Sequence, residues 1–86
     1  MEAQLLVAQA IADLVARTGS APAEIELIGL EQVTWPDASL GCPQPGMAYA
    51  QVLQEGWQIR LRCRGQVYEY HSGPSRPPFL AVTGRM

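Results

Sequence analysis

Cys42, Ser39, Asp37 and His71 are the residues of this sequence whose types suit covalent chemistry, because a thiol or hydroxyl, an imidazole and a carboxylate are the parts of a nucleophilic triad. Two triads can be drawn from them, Cys42/His71/Asp37 and Ser39/His71/Asp37. Neither has a local motif behind it. No nucleophile elbow surrounds Ser39 or Cys42, and any small domain with a histidine offers such combinations, so the reading leans away from an enzyme. Cys42 lies in a polar, glycine-flanked stretch whose N–H groups would lower its pKa, which keeps a thiol-based enzyme or redox sensor as an alternative function. Cys42, Cys63 and His71 match no zinc spacing, and strand alternation sends Cys63 and His71 to opposite faces, so no metal and no cofactor are assigned. In a reducing compartment the two cysteines are free thiols, Cys63 serving as a small core hydrophobe. A Cys42–Cys63 disulfide stays open, conditional on the redox compartment.

Three of these four residues stand in "WPDASLGCPQPGMAY", residues 35–49. Asp37 and Ser39 suit turns in which their side chains accept from nearby N–H groups, Pro36, Pro43 and Pro45 fix φ, and Gly41 and Gly46 permit positive φ. Such a segment is stiffened by its own residues. It reads either as a recognition loop or as a connection across the end of a sheet, with Trp35 and Leu40 as plugs.

The elements that must hold this loop follow from periodicity. Residues 1–19 form an amphipathic helix, with Ala3, Val7, Ala8, Ile11, Leu14 and Val15 on one face, Glu2 and Arg17 at the favourable dipole ends and Gly19 as the C-cap. Residues 24–35 form a strand with a bulge or bend at Gly29. After the motif loop, 36–47, residues 48–72 carry three alternating runs, "AYAQVLQ", "WQIRLRCR" and "QVYEYHS", joined at Glu55-Gly56 and around Gly65. With the second turn at Arg64-Gly65, Leu61 faces Tyr68, Arg60 faces Glu69, Ile59 faces Tyr70 and Gln58 faces His71. One sheet face then holds Trp57, Ile59, Leu61, Cys63, Tyr68 and Tyr70, and the other holds Gln58, Arg60, Arg62, Glu69 and an exposed His71. Residues 73–86 form an irregular tail or edge strand, packed through Phe79, Leu80 and Val82. The expected architecture is α+β in one domain, 1–86: a helix on a curved, antiparallel four-stranded meander, α-β-β-β-β. In shape it resembles a cystatin-like or propeptide-like layer.

Composition bounds the function. The first 40 residues carry six acidic groups and one Arg and the rest carry two and five, for a net charge of −2. With a pI near 5.2, this argues against a dedicated nucleic-acid binder despite the stripe Arg60, Arg62, Arg64. The start of the chain has neither the basic end of a secretory signal nor an apolar run long enough for a membrane span, which places the protein in the cytoplasm by expectation.

The spacing W-x-D-x-S-L-G-C-P-x-P-G-x-x-Y from Trp35 to Tyr49, followed by Tyr68, Tyr70 and His71 as Y-x-Y-H, resembles a family of small uncharacterised bacterial domains. The resemblance implies that the loop is a deliberate feature; it implies no reaction. The expected function is a small protein-interaction module that docks its rigid loop and the neighbouring polar face on a protein partner. The candidate binding residues are Trp35, Asp37, Ser39, Leu40, Cys42, Tyr49, Arg60, Arg62 and His71. A protease-inhibitor-like domain is the alternative from another class, and an exposed edge strand would permit a homodimer.

Overall fold

The computed structural model describes the backbone of residues 2–85 and the side chains of residues 3–81. The expected roles of Glu2 at the helix start and Val82 in the tail fall outside the described side chains. The chain forms α1 (Glu2–Thr18), a short 3-10 turn (Pro22–Glu24), β1 (Ile25–Trp35), β2 (Gln54–Cys63), β3 (Gln66–Gly73) and β4 (Arg76–Arg85). The four strands make one antiparallel sheet in the order β1-β2-β3-β4. This is the expected α-β-β-β-β layer, and among the described residues no helix is long and apolar enough to cross a membrane.

α1 ends as its sequence dictates. Gly19 takes a φ of 72° and its N–H donates to the Val15 carbonyl at 2.8 Å, the left-handed cap that only glycine adopts without cost. The buried helix positions are Ala10 and Leu14, with Leu6, Val7 and Ile11 packed beside them, whereas Ala8 is exposed. The apolar stripe is thus rotated slightly from the expected one. It covers Ile59, Leu61, Cys63 and Tyr70, the buried part of the expected core face. Tyr70 reaches through to donate to Asp13 at 2.7 Å, and Asp13 also pairs with Arg17.

The β2–β3 register agrees with expectation at every stated pair, including Arg60 opposite Glu69 and Gln58 opposite His71. Arg64 and Gly65 both have positive φ, 53° and 78°, as the tight turn that matches strand twist requires. The β1–β2 ladder shifts register between Leu27 and Gly29, the expected irregularity.

Two strand assignments change. Residues 48–53 form no strand despite their alternation, and Glu55-Gly56 is not a turn but lies inside β2, opposite Thr34 and Val33. The reason is geometric: β2 already has β1 on one side and β3 on the other, so no edge is left for another run there. The fourth strand is the tail. β4 accommodates Pro77 and Pro78 because it is an edge strand and because both fall at the register shift between His71 and Gly73, where neither is paired with β3.

Candidate functional site

The loop between β1 and β2, residues 36–53, folds back over the sheet face opposite the helix. Its first half is a pair of tight turns. Asp37 accepts from the backbone N–H of Ser39 at 2.9 Å and from its hydroxyl, and these two bonds, the hydroxyl first, hold the Asp37 carboxyl below its ordinary range. The Cys42 N–H then donates to the Ser39 carbonyl at 3.0 Å, with Leu40 and Gly41 both at positive φ, 54° and 79°. The second half is tied to the first by Ala38 N–H to the Ala50 carbonyl at 3.0 Å, and by Gln44 N–H to the Tyr49 hydroxyl at 3.1 Å.

His71 is where the loop meets the sheet. Contrary to the expected exposed strand residue, it is only 4% exposed, because the loop covers the face from which it projects. Its Nδ1 lies 2.7 Å from the Leu40 carbonyl oxygen and its Nε2 lies 2.7 Å from a Glu69 carboxylate oxygen. Both partners are acceptors, so a hydrogen on either ring nitrogen has a partner in place. The Trp35 ring stacks on His71 at 4.4 Å between centroids, and its indole N–H donates to the Ser72 carbonyl at 2.9 Å. Glu69 is also held by Arg60 at 3.2 Å. Burial pushes the Glu69 carboxyl up, but its bonds to His71, Arg60 and Gln58 outweigh this and leave it below its usual range.

Three glycines clear the space for this cluster. A Cβ on Gly41 would stand 2.8 Å from the Trp35 ring, a Cβ on Gly73 would stand 2.9 Å from both Leu40 methyls, and a Cβ on Gly56 would collide with the Ser72 carbonyl oxygen. Gly56, Gly73 and Ser72 were not among the expected site residues. The glycines inside strands carried a signal, since a strand glycine often marks the close approach of another group.

The geometry does not build either triad. Cys42 Sγ lies 3.6 Å from His71 Nδ1, but that nitrogen is engaged by the Leu40 carbonyl at the shorter distance, and Asp37 is turned inward to Ser39. The orienting carboxylate on His71 is Glu69. Burial pushes the Cys42 thiol up, and the Glu69 charge adds to this against a smaller opposing effect of Arg76, which corrects the expectation of a lowered pKa. Cys63 sits on the helix face, where its thiol donates to Ser20 Oγ at 3.2 Å. Both cysteines are free, on opposite sides of the sheet.

Of the remaining candidates, Arg60 and Arg62 belong to a stripe in which every guanidinium faces a carboxylate: Arg60 with Glu69, Arg62 with Glu26 and Arg64 with Glu24. Such surface pairs are each worth under about 1 kcal/mol. Trp35, Ser39, Leu40, Cys42 and His71 lie together in the clamp, and Tyr49 stands at its rim. Beyond the clamp, the loop exposes Met47, Val52 and Leu53 at 60%, 57% and 70%. Beside it runs an open groove of about 580 Å³ where the loop meets β4 and the end of α1, lined by Arg17, Cys42, Gln44, Tyr49, Arg76 and Phe79 among others. Among the described residues no carboxylate lines the groove, and the Arg76 guanidinium lies 3.8 Å over the Phe79 ring.

Residues 7–81 match the model of a family described as a domain of unknown function (DUF8738), and the chain belongs to that family. The match runs from the first turns of α1 into β4. No curated protein and no solved structure matches the chain.

Proposed function

We propose that this domain is a protein-interaction module whose β1–β2 loop is clamped to the sheet by His71 so that its outer rim can dock on a partner. The observation that carries the reading is the division of the loop between the two roles. The residues that hold it, Ser39, Leu40 and His71, are buried, while Met47, Val52 and Leu53 project apolar surface from the same loop, tied back by Met47 N–H to the Gln44 carbonyl and Ala38 N–H to the Ala50 carbonyl. A preordered apolar rim binds with little loss of conformational freedom, and methionine and aliphatic groups adapt readily to a partner surface. The adjoining groove adds charge selectivity, because Arg76, which lines it with no ion-pair partner among the described residues, suits an acidic side chain on the partner, while Arg17 is already held by Asp13.

The test is affinity capture with the wild-type domain and with a Met47→Asp/Leu53→Asp variant, followed by identification of the retained protein and a direct binding titration with it. Both positions are exposed, so circular dichroism should show the variant folded. A partner bound by the wild type, and at least about tenfold more weakly by the variant, supports the reading. Equal affinity for both overturns it, and dose-dependent inhibition of a protease panel would reassign the rim as an inhibitory loop.

A further inference from the structure

On the helix face of the sheet, the register sets three side chains in a row across three strands. Gln32 of β1 stands opposite Trp57 of β2, and Trp57 stands opposite Ser72 of β3. Glu55, two residues back along β2, points to the same face and is a diagonal neighbour of Ser72, about 7–8 Å away between backbones. These four residues line a cleft of about 330 Å³ to which Leu6 of α1 and Pro74 add apolar walls. Leu6 and Trp57 are packed against the buried core, which holds the walls in place.

Two polar groups of this cleft serve no contact of the fold. Ser72 is 1% exposed, and its hydroxyl is the buried side-chain polar atom that has no hydrogen-bond partner among the described residues, although its carbonyl accepts from the Trp35 indole. An unpaired buried hydroxyl destabilises a fold, and alanine would fill nearly the same space without that cost. Glu55 is exposed and has no ion-pair partner among the described residues. Among those residues no basic group lines the cleft, so its one charge is negative.

From this arrangement we infer that the cleft binds a primary ammonium on an unbranched alkyl stem, the chemistry shared by a lysine side chain and a small free amine. An ammonium between Glu55 and Ser72 donates to each oxygen at about 2.7–2.9 Å and so bridges a gap of about 5–6 Å, which a diagonal pair with one long side chain provides. Its stem lies against the Trp57 ring and Leu6. The compact, rotatable donors of an ammonium suit a single hydroxyl at the floor better than the planar fork of a guanidinium does. A metal ion is a poorer occupant, since among the described residues no three His, Cys, Asp or Glu side chains gather to hold one. The volume is at the small end of ligand sites, which run from about 300 to 1,000 Å³, and matches one side chain. The cleft lies on the face opposite the loop and does not depend on the docking rim.

The test is a nitrogen-15 NMR titration of the full chain with n-butylammonium and with Nα-acetyl-lysine N-methylamide. The controls are 1-butanol, which lacks the charge, and butyltrimethylammonium, which keeps the charge and lacks N–H donors. Both ammonium probes should give saturable shifts of the Trp57 indole and of the Glu55 and Gly73 amides, with each control at least about tenfold weaker. Tighter binding of the lysine derivative assigns the site to a lysine of a partner protein, and equal or tighter binding of butylammonium assigns it to a free amine. Glu55→Gln should weaken butylammonium binding about tenfold. Ser72→Ala should weaken it about fivefold while the melting temperature stays level or rises, because the hydroxyl it removes is unpaired in the fold. Equal binding of either control, undiminished binding by either variant, a clear loss of stability in Ser72→Ala, or shifts confined to the loop would each overturn the proposal.

Discussion

Replacing His71 by phenylalanine tests the clamp most directly. The substitution keeps an aromatic ring against Trp35 and removes both ring nitrogens. The Leu40 carbonyl then loses its donor at a buried position, which costs about 1–3 kcal/mol. Glu69 loses a charge-assisted bond but keeps Arg60 at 3.2 Å, so no charge is stranded and this second loss is about 1 kcal/mol. The sum is roughly 3 kcal/mol, which for a domain of this size lowers the melting temperature by about 12–24 °C. Urea and thermal unfolding followed by circular dichroism and tryptophan fluorescence measure it. The double-mutant cycle with Glu69→Gln should return a coupling of about 1 kcal/mol. A loss below about 0.5 kcal/mol, or a coupling of zero, would refute the reasoning, since it would mean that these bonds exchange with water at no cost.

Gly56→Ala should prevent native β2–β3 pairing, because its Cβ meets the Ser72 backbone carbonyl and not a side chain that can yield; loss of dispersed NMR signals checks this. Gly73→Ala, which meets the Leu40 methyls, should cost less and leave the sheet intact, as comparison of the two melting curves will show. Stability should fall in acid: Asp13, where burial is outweighed by the Tyr70 hydroxyl and Arg17, and Asp37, Glu24 and Glu69 all have lowered carboxyl pKa values. A depressed folded value contributes above the unfolded pKa of about 4 and is lost as pH drops through the folded one, so urea midpoints should fall below about pH 4. Tyr70 acts in the opposite sense, because burial and the Asp13 carboxylate raise its pKa. Its contribution should hold up to about pH 10 and be lost above that. Alkylation at neutral pH should label Cys42 more slowly than a free peptide thiol, and Cys63 more slowly still; rapid labelling of Cys42 would restore the thiol-based reading.

The hairpin β2–β3 was legible in the sequence because two local signals agree, the period of two on both sides and an Arg-Gly pair at the turn. The tail was not, since Pro77 and Pro78 argue against a strand unless one knows that it lies at an edge. Residues 48–53 misled for the converse reason: alternation reports two unlike sides, but a strand also needs a neighbour. In the loop, the self-bonding of Asp37 and Ser39 and the positive φ of Gly41 and Gly46 follow from residue type alone. The burial of His71 does not, because its cover comes from Leu40, 31 positions away, and no local pattern encodes that return.

The separation of β1 from β2 by residues 36–53 also has a kinetic side. β2 and β3 are joined by a two-residue turn, and such a hairpin closes in about 1–10 μs, whereas the pairing of β1 must first overcome the closure entropy of the longer connection. The clamp at His71 forms after that closure, so its bonds are largely absent from the folding transition state. Weakening them leaves the folding rate nearly unchanged and speeds unfolding, so it is the clamp that sets how long the native chain persists between openings. Stopped-flow chevrons of the wild type and His71→Phe should differ in their unfolding arms alone.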